Sequence, residues 1–258
     1  MRRSAVSGLC ALGHLVVICG LIQIGGLILS VTADDVTPSS DEILAKVESE
    51  NNRRHIELKE YSASRQYTLQ NTRFGKQAAV AVLMSYRQAE GERYTVVKRS
   101  GSDQLNGIID KVMASEAGAS VPPGNVRHQI TAANYRVRLL GTEVAAGRSC
   151  YVLELAPRAK NRFLIVGKAW VDAGSFAIVR IEGQFAASFS MLLGAPRISE
   201  DFIDVHGFWL PGHVRSVTSS FLLGPTQLEI HFSNYQLEQD SASLPLADAR
   251  GADRSHDR

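Results

Sequence analysis

The sequence has few of the residues that would identify a specialised class of protein. Three cysteines in 258 residues are too few for a disulfide scaffold. Lys and Arg total 28 against 26 Asp and Glu, and a net charge of +2 gives no indication of a nucleic-acid partner. The hydrophobic share of 45% and the charged share of 21% are ordinary for a folded chain, which excludes a disordered protein, a collagen and a polytopic membrane protein.

The N-terminus has the pattern of an export signal. Arg2 and Arg3 precede an apolar stretch over residues 9–31, and small residues follow up to Ala33. This pattern predicts a secretory signal peptide over residues 1–33, cleaved after Ala33. The apolar run is also long enough to span a bilayer, so an uncleaved N-terminal anchor is the alternative. Both interpretations export the rest of the chain.

Residues 34–258 differ from the whole chain in two respects. Arg2 and Arg3 are the only charged residues of the predicted signal, so 26 basic and 26 acidic residues remain. Only one of the three cysteines, Cys150, lies outside the signal. A lone thiol in a strand-like segment is typical of a small buried apolar side chain rather than a reactive nucleophile.

The hydrophobic pattern predicts two helices and about ten strands. Ser39 and Glu42 have the spacing of a capping box that opens the first helix. An apolar stripe from Leu105 to Met113, at helical spacing, predicts the second helix, after three strands. Seven strand-like segments follow, among them 162–172, 176–182 and 213–222, and their short connections indicate antiparallel neighbours.

Two helices cannot cover a sheet of ten strands, and several strands are apolar on both faces. The sheet therefore either closes on itself or uses one face to line an apolar cavity. The second alternative is the first indication of a binding function.

Seven segments of the chain resemble exported LolA-like proteins, which are often labelled outer-membrane lipoprotein-sorting proteins. The resemblance covers about residues 38–237. Its segments are Glu60–Tyr67, Asn71–Lys76, Gly147–Leu153, Ala169–Asp172, Ala177–Gly183, Phe208–Pro211 and Gly224–Thr226.

The resemblance implies an α+β fold in which a strongly curved antiparallel sheet of about ten strands forms an incomplete or half β-barrel, with helices covering its concave face. LolA and LolB carriers hold lipoprotein acyl chains in that cavity, and the sensor RseB uses a similar domain. The resemblance thus implies a periplasmic LolA-like domain over residues 34–237, followed by a disordered charged tail over 238–258. The implied function is a lipid or lipoprotein carrier. The alternative is a sensor of RseB type that regulates a protein partner.

The implied partners are a lipid or an acylated lipoprotein and a membrane-protein donor or acceptor, with no nucleic acid. An acyl-binding site needs contiguous apolar walls, and ordinary core packing is the alternative role for each candidate, since the sequence does not tell which face is concave. The candidate lipid-cavity residues are Val80, Val82, Met84, Ile108, Ile109, Met113, Phe163, Ile165, Trp170, Phe176 and Ile178.

The sequence gives little support to enzyme chemistry. The histidines are scattered, without HExxH or CxxC and without a close pair at metal-ligand spacing, so we predict no catalytic residues, no metal and no cofactor. Asp204 and His206 share a strand face but lack a third ligand. Arg53, Arg54, Lys59 and Arg65 form a modest basic cluster, which we interpret as a solvated surface or as a surface for anionic headgroups.

Overall fold

The computed structural model describes residues 37–121, 129–161, 163–187, 195–220 and 224–238. The predicted signal peptide and most of the predicted tail lie outside these residues. No helix within the described part of the chain is long and apolar enough to cross a membrane.

The first helix, α1, spans Ser40–Glu57 and begins at the predicted capping box. The Ser39 side chain accepts a hydrogen bond from the Glu42 backbone, and the Glu42 carboxylate accepts one from the Ser39 backbone at 2.8 Å. These two bonds satisfy backbone N–H groups that the first turn leaves free. The second helix, α2, spans Asp103–Ser120, and Leu105, Ile109 and Met113 form its buried stripe.

Within the described residues, ten strands form one antiparallel sheet in the order β3-β2-β1-β10-β9-β8-β7-β6-β5-β4. β3 and β4 are its edges, so the sheet is open, and the predicted α+β fold with an incomplete barrel is confirmed. The strands are β1 (Glu60–Asn71), β2 (Lys76–Arg87), β3 (Gly91–Gly101), β4 (Tyr135–Ala145), β5 (Arg148–Pro157), β6 (Ile165–Asp172), β7 (Ile178–Phe185), β8 (Arg197–Val205), β9 (Phe208–Ser220) and β10 (Gly224–Leu237).

Residues that lie directly opposite each other on neighbouring strands point to the same face of the sheet. We call the face that carries the following row the inner face. Along one row, Val80 lies opposite Tyr67, and Tyr67 lies opposite Ile230. Ile230 in turn lies opposite Val214, and Val214 lies opposite Glu200. Because side chains alternate along a strand, the same face continues through the sheet.

Each helix covers one end of the inner face. Leu105, Ile109 and Met113 of α2 pack in one cluster with Tyr67 and Val80.

At the other end, Ile43 and Val47 of α1 pack with Leu153 of β5 and Val171 of β6. The middle strands, β7 to β10, lie between these two contact areas.

A smaller apolar cluster lies on the opposite, outer face, where Cys150, Val152 and Trp170 pack together. Cys150 is fully buried, as predicted, and burial raises the pKa of its thiol. This cluster explains why the sixth strand is apolar on both sides although only one face meets a helix.

A short turn joins β8 to β9, because β8 ends at Val205 and Phe208 already begins β9. The turn is made by His206 and Gly207, whose φ angles are 52° and 85°. Two consecutive positive φ values are typical of a type I′ hairpin, which needs only two residues.

Two facing glycines set the spacing of β6 and β7. Gly167 pairs with Gly183, and a Cβ atom added to Gly167 would lie 2.0 Å from the Glu182 carbonyl oxygen. We expect Gly167→Ala to destabilise the fold by about 1–3 kcal/mol, because the obstacle is backbone. Gly107→Ala, in an open position of α2, is the matched control and should stabilise by about 0.5–1 kcal/mol. Urea unfolding measures both, and unchanged stability of Gly167→Ala would contradict the close approach.

Candidate ligand cavity

A cavity of about 880 Å³ lies between the two helices and the inner face. Its lining comes from α1, α2 and strands on both sides of the middle of the sheet. One face of so many strands can surround a common space only if the sheet curves around it, so the inner face is the concave one. The volume lies in the upper part of the range of about 300–1,000 Å³ found for small-molecule sites.

Most of the cavity wall is apolar. The α2 side contributes Ile108, Ile109 and Val112, and the sheet contributes aliphatic and aromatic side chains from β6 to β10. The sheet residues are Ile165, Ile178, Ile181, Phe185, Ile198, Phe202, Trp209, Leu210, Val214, Leu228 and Ile230. Ser216 and Thr218 of β9 are small side chains in the same wall.

A buried arginine organises the polar part of the wall. Arg65 of β1 is 5% exposed and forms an ion pair with Glu92 of β3 at 2.6 Å. It lies 3.3 Å from Glu116 of α2 and donates a hydrogen bond to Tyr94 at 2.7 Å. Tyr67 donates to the Glu116 carboxylate at 2.7 Å. The cluster joins α2 to the strands beneath it. It contains two carboxylates and only one guanidinium, which leaves an excess of negative charge.

Glu116 belongs both to this cluster and to the cavity lining. Burial raises the pKa of its carboxyl, and the charge of Arg65 and the hydrogen bond from Tyr67 oppose that shift. The 29% exposure of its side chain is exposure to the cavity.

Glu200 is the most unusual polar group of the cavity. It projects from β8 between apolar neighbours, and among the described residues it has no hydrogen-bond or ion-pair partner. Burial raises its pKa to about 7, and the negative charge of Glu116 adds to the shift. The carboxyl is therefore divided between its neutral and charged forms near neutral pH.

Arg54 supplies positive charge at the α1 side of the cavity. It lines the cavity and donates a hydrogen bond to the Trp209 carbonyl oxygen at 3.1 Å. Its charge opposes the rise in the pKa of Glu200.

The eleven candidate residues from the sequence fall into three groups. Five of them line the cavity: Ile108, Ile109, Phe163, Ile165 and Ile178.

Four others are buried in the core rather than in the cavity wall. Val80 and Val82 pack with Met113 in the core between α2 and the sheet, and Met84 is buried further along β2. Met84 is therefore a core residue as well.

The last two candidates lie elsewhere. Phe176 packs against α1, with the Lys46 ammonium 4.2 Å from its ring centroid. Trp170 lies on the outer face, where its indole N–H donates to Glu143 at 2.8 Å. Because side chains alternate along a strand, Trp170 and its neighbour Ala169 point to opposite faces of the sheet. The sequence alone does not tell which of the two faces is the inner one.

Comparisons with known proteins find similar solved structures only. No protein-family model and no curated protein matches the chain. The chain is similar to a DUF1329 family protein from Desulfovibrio piger, with a TM-score of 0.41 and 12% identity over 81% of this chain and 96% of that one. A LolA superfamily protein from Nitrosomonas europaea gives a TM-score of 0.37 and 15% identity over 81% and 96%. An outer membrane lipoprotein-sorting protein domain from Vibrio parahaemolyticus gives 0.36 and 12% over 79% and 95%.

One of these structures is called a LolA superfamily protein and another an outer membrane lipoprotein-sorting protein domain. The TM-scores are all below 0.5 and the identities do not exceed 15%. Similarity at this level does not assign a function to the chain.

The polar residues of the cavity were missed by sequence reasoning. Arg65 was grouped with a solvated basic cluster, yet it is buried between Glu92 and Glu116. Its alternation with Ala63, Tyr67 and Leu69 in β1 is the signal that could have placed it on the buried face. Nothing in the sequence distinguishes Glu200 from the surface carboxylates near it.

We expect the stability of the ligand-free protein to fall as the pH rises from about 4.5 to about 7. In that range the folded state keeps a proton on Glu200 that the unfolded chain, with a pKa near 4.5, has released. Glu200→Gln should remove this loss, which amounts to no more than about 3 kcal/mol. Thermal unfolding across this pH range measures the slope.

Glu182→Gln is the matched control, because Glu182 is an exposed carboxylate on the neighbouring strand. It should keep the slope of the parent protein. Equal slopes in the parent and Glu200→Gln would show that Glu200 does not titrate in the cavity.

Proposed function

We propose that the chain is an exported, periplasmic carrier that binds the acyl chains of a lipid or an acylated protein in the cavity between sheet and helices. The observation that carries this proposal is the 880 Å³ cavity with its largely apolar wall. Each methylene group moved from water to such a wall contributes about 0.8 kcal/mol. Acyl burial can therefore supply the affinity without covalent chemistry.

The polar groups of the cavity support a selective form of this proposal. A ligand carboxylate or phosphate next to Glu200 and Glu116 would be repelled and desolvated, whereas an amide, hydroxyl or ammonium group could donate to these carboxylates and an ester carbonyl could accept from the protonated Glu200 carboxyl. We therefore propose neutral or zwitterionic acylated cargo in preference to free fatty-acid anions.

Hand-over of the cargo would depend on α2. This helix contributes the apolar residues of one cavity wall and is joined to the sheet by the Arg65 cluster. Movement of α2 away from β1 would open the cavity, and we propose that a membrane-protein donor or acceptor promotes that movement. After export, the LolA-like domain of residues 34–237 would be the part of the chain that carries the cargo.

The test is the lipid content of protein purified from membranes under mild conditions, measured by mass spectrometry of both free lipids and acylated peptides. Ser216→Trp should reduce retained acyl cargo by at least about tenfold, because Ser216 lies in the cavity wall and the indole would fill the space. Val217→Trp is the matched control, since Val217 is the next residue of β9 and is 36% exposed on the outer face.

Three results would contradict the carrier proposal. The first is a parent protein without acyl cargo, and the second is equal cargo in the Ser216→Trp and Val217→Trp variants. The third is a stable protein partner that the parent and the Ser216→Trp variant bind equally well. The last result would instead favour the sensor of RseB type. Added acylated cargo should also raise the melting temperature of delipidated parent protein and leave that of Ser216→Trp unchanged.

A further inference from the structure

We propose that His213, Glu229 and His231 form a binding site for a divalent transition-metal ion of the zinc type on the outer face of the sheet. The register of β9 and β10 places His213 directly opposite His231. Glu229 precedes His231 by two residues in β10, so both point to the same face. Two cross-strand histidines and one carboxylate on a common face are a ligand set that Zn²⁺ uses.

The three side chains already converge. One ligand atom from each lies within 4.8 Å of the others. The two imidazole rings stack with centroids 4.4 Å apart, and Glu229 Oε2 lies 3.9 Å from His231 Nε2. A zinc ion with tetrahedral ligands at about 2.0–2.2 Å needs ligand atoms that lie about 3.3–3.6 Å from one another. Side-chain movements of less than about 1 Å would therefore complete the site.

A second observation points to a ligand at the same place. The Nε2 atom of His213 is buried and has no hydrogen-bond partner among the described residues. Leaving such a nitrogen unsatisfied costs about 1–3 kcal/mol. A metal ion would use the nitrogen lone pair that no protein group uses.

The surroundings hold the carboxylate in place. Gln227 donates to Glu229 Oε1 at 2.8 Å, and the Arg215 Nε lies 3.9 Å from the same oxygen. Both contacts are made to Oε1, so Oε2 is available to bind the ion. Contacts of this kind orient a metal ligand. His231 is 58% exposed, so the fourth coordination position opens to water.

The site is independent of the cavity. His213 and His231 lie on the outer face, whereas their strand neighbours Val214 and Ile230 line the cavity on the inner face. Metal binding can therefore be tested on the full chain whether or not it carries an acylated cargo.

The test is titration of untagged protein with Zn²⁺ by calorimetry and with Co²⁺ by visible absorption. We expect one ion per chain with micromolar affinity, and a Co²⁺ spectrum of a low-coordinate site with nitrogen ligands. His231→Gln and Glu229→Gln should each weaken binding by at least about tenfold. His206→Asn, which removes a histidine from a turn at positive φ that asparagine tolerates, should bind as the parent does.

Zn²⁺ should also raise the melting temperature of the parent and of His206→Asn but not that of His231→Gln. Absence of binding by the parent at millimolar Zn²⁺ would overturn the proposal and leave His213 and His231 as a stacked cross-strand pair. Equal affinity of all four proteins would overturn it too, since the ion would then bind elsewhere.

Discussion

The dimensions of two helices and a ten-stranded sheet determine the rest of this structure. Ten strands at about 4.8 Å spacing extend for about 45 Å across the sheet. Two helices, each about 10 Å in diameter, cover less than half of that width. Because α1 packs on β5 and β6 and α2 on β1 and β2, the uncovered part falls in the middle. Curvature closes apolar side chains of β7 to β10 around this space, and the cavity is the result.

The sequence predicted most of the fold because the signals for it are local. The capping box at Ser39 and Glu42, the stripe of α2 and the number of strands all lie within short windows of the chain. The bounds of the strands depend less on local signals, as for β1, which begins at Glu60. Its first residues are polar, and their pairing with β2 and β10, not their composition, makes them a strand.

The site was less predictable because its geometry depends on pairings between distant residues. Arg65 meets Glu92 and Glu116 only after β1, β3 and α2 have come together. His213 meets His231 only through the register of β9 and β10. The sequence offered both the cavity and ordinary core packing for Trp170, because an apolar strand with two covered faces has no alternation to orient it. Long-range register was the missing information in all three cases.

The open sheet also has consequences for association between molecules. Each edge strand presents backbone N–H and C=O groups that another chain's edge could pair with, as in aggregation by strand addition. β3 carries Arg93, Lys98 and Arg99, and β4 carries Arg136 and Arg138. Several of these side chains are ion-paired with carboxylates of the same molecule, such as Arg99 with Asp110 and Arg138 with Glu154. Bringing the β3 edge of one molecule to the β4 edge of another would strip water from these charged groups and disturb their ion pairs. Charged side chains along both edges therefore oppose a continuous sheet through many copies of an unclosed barrel.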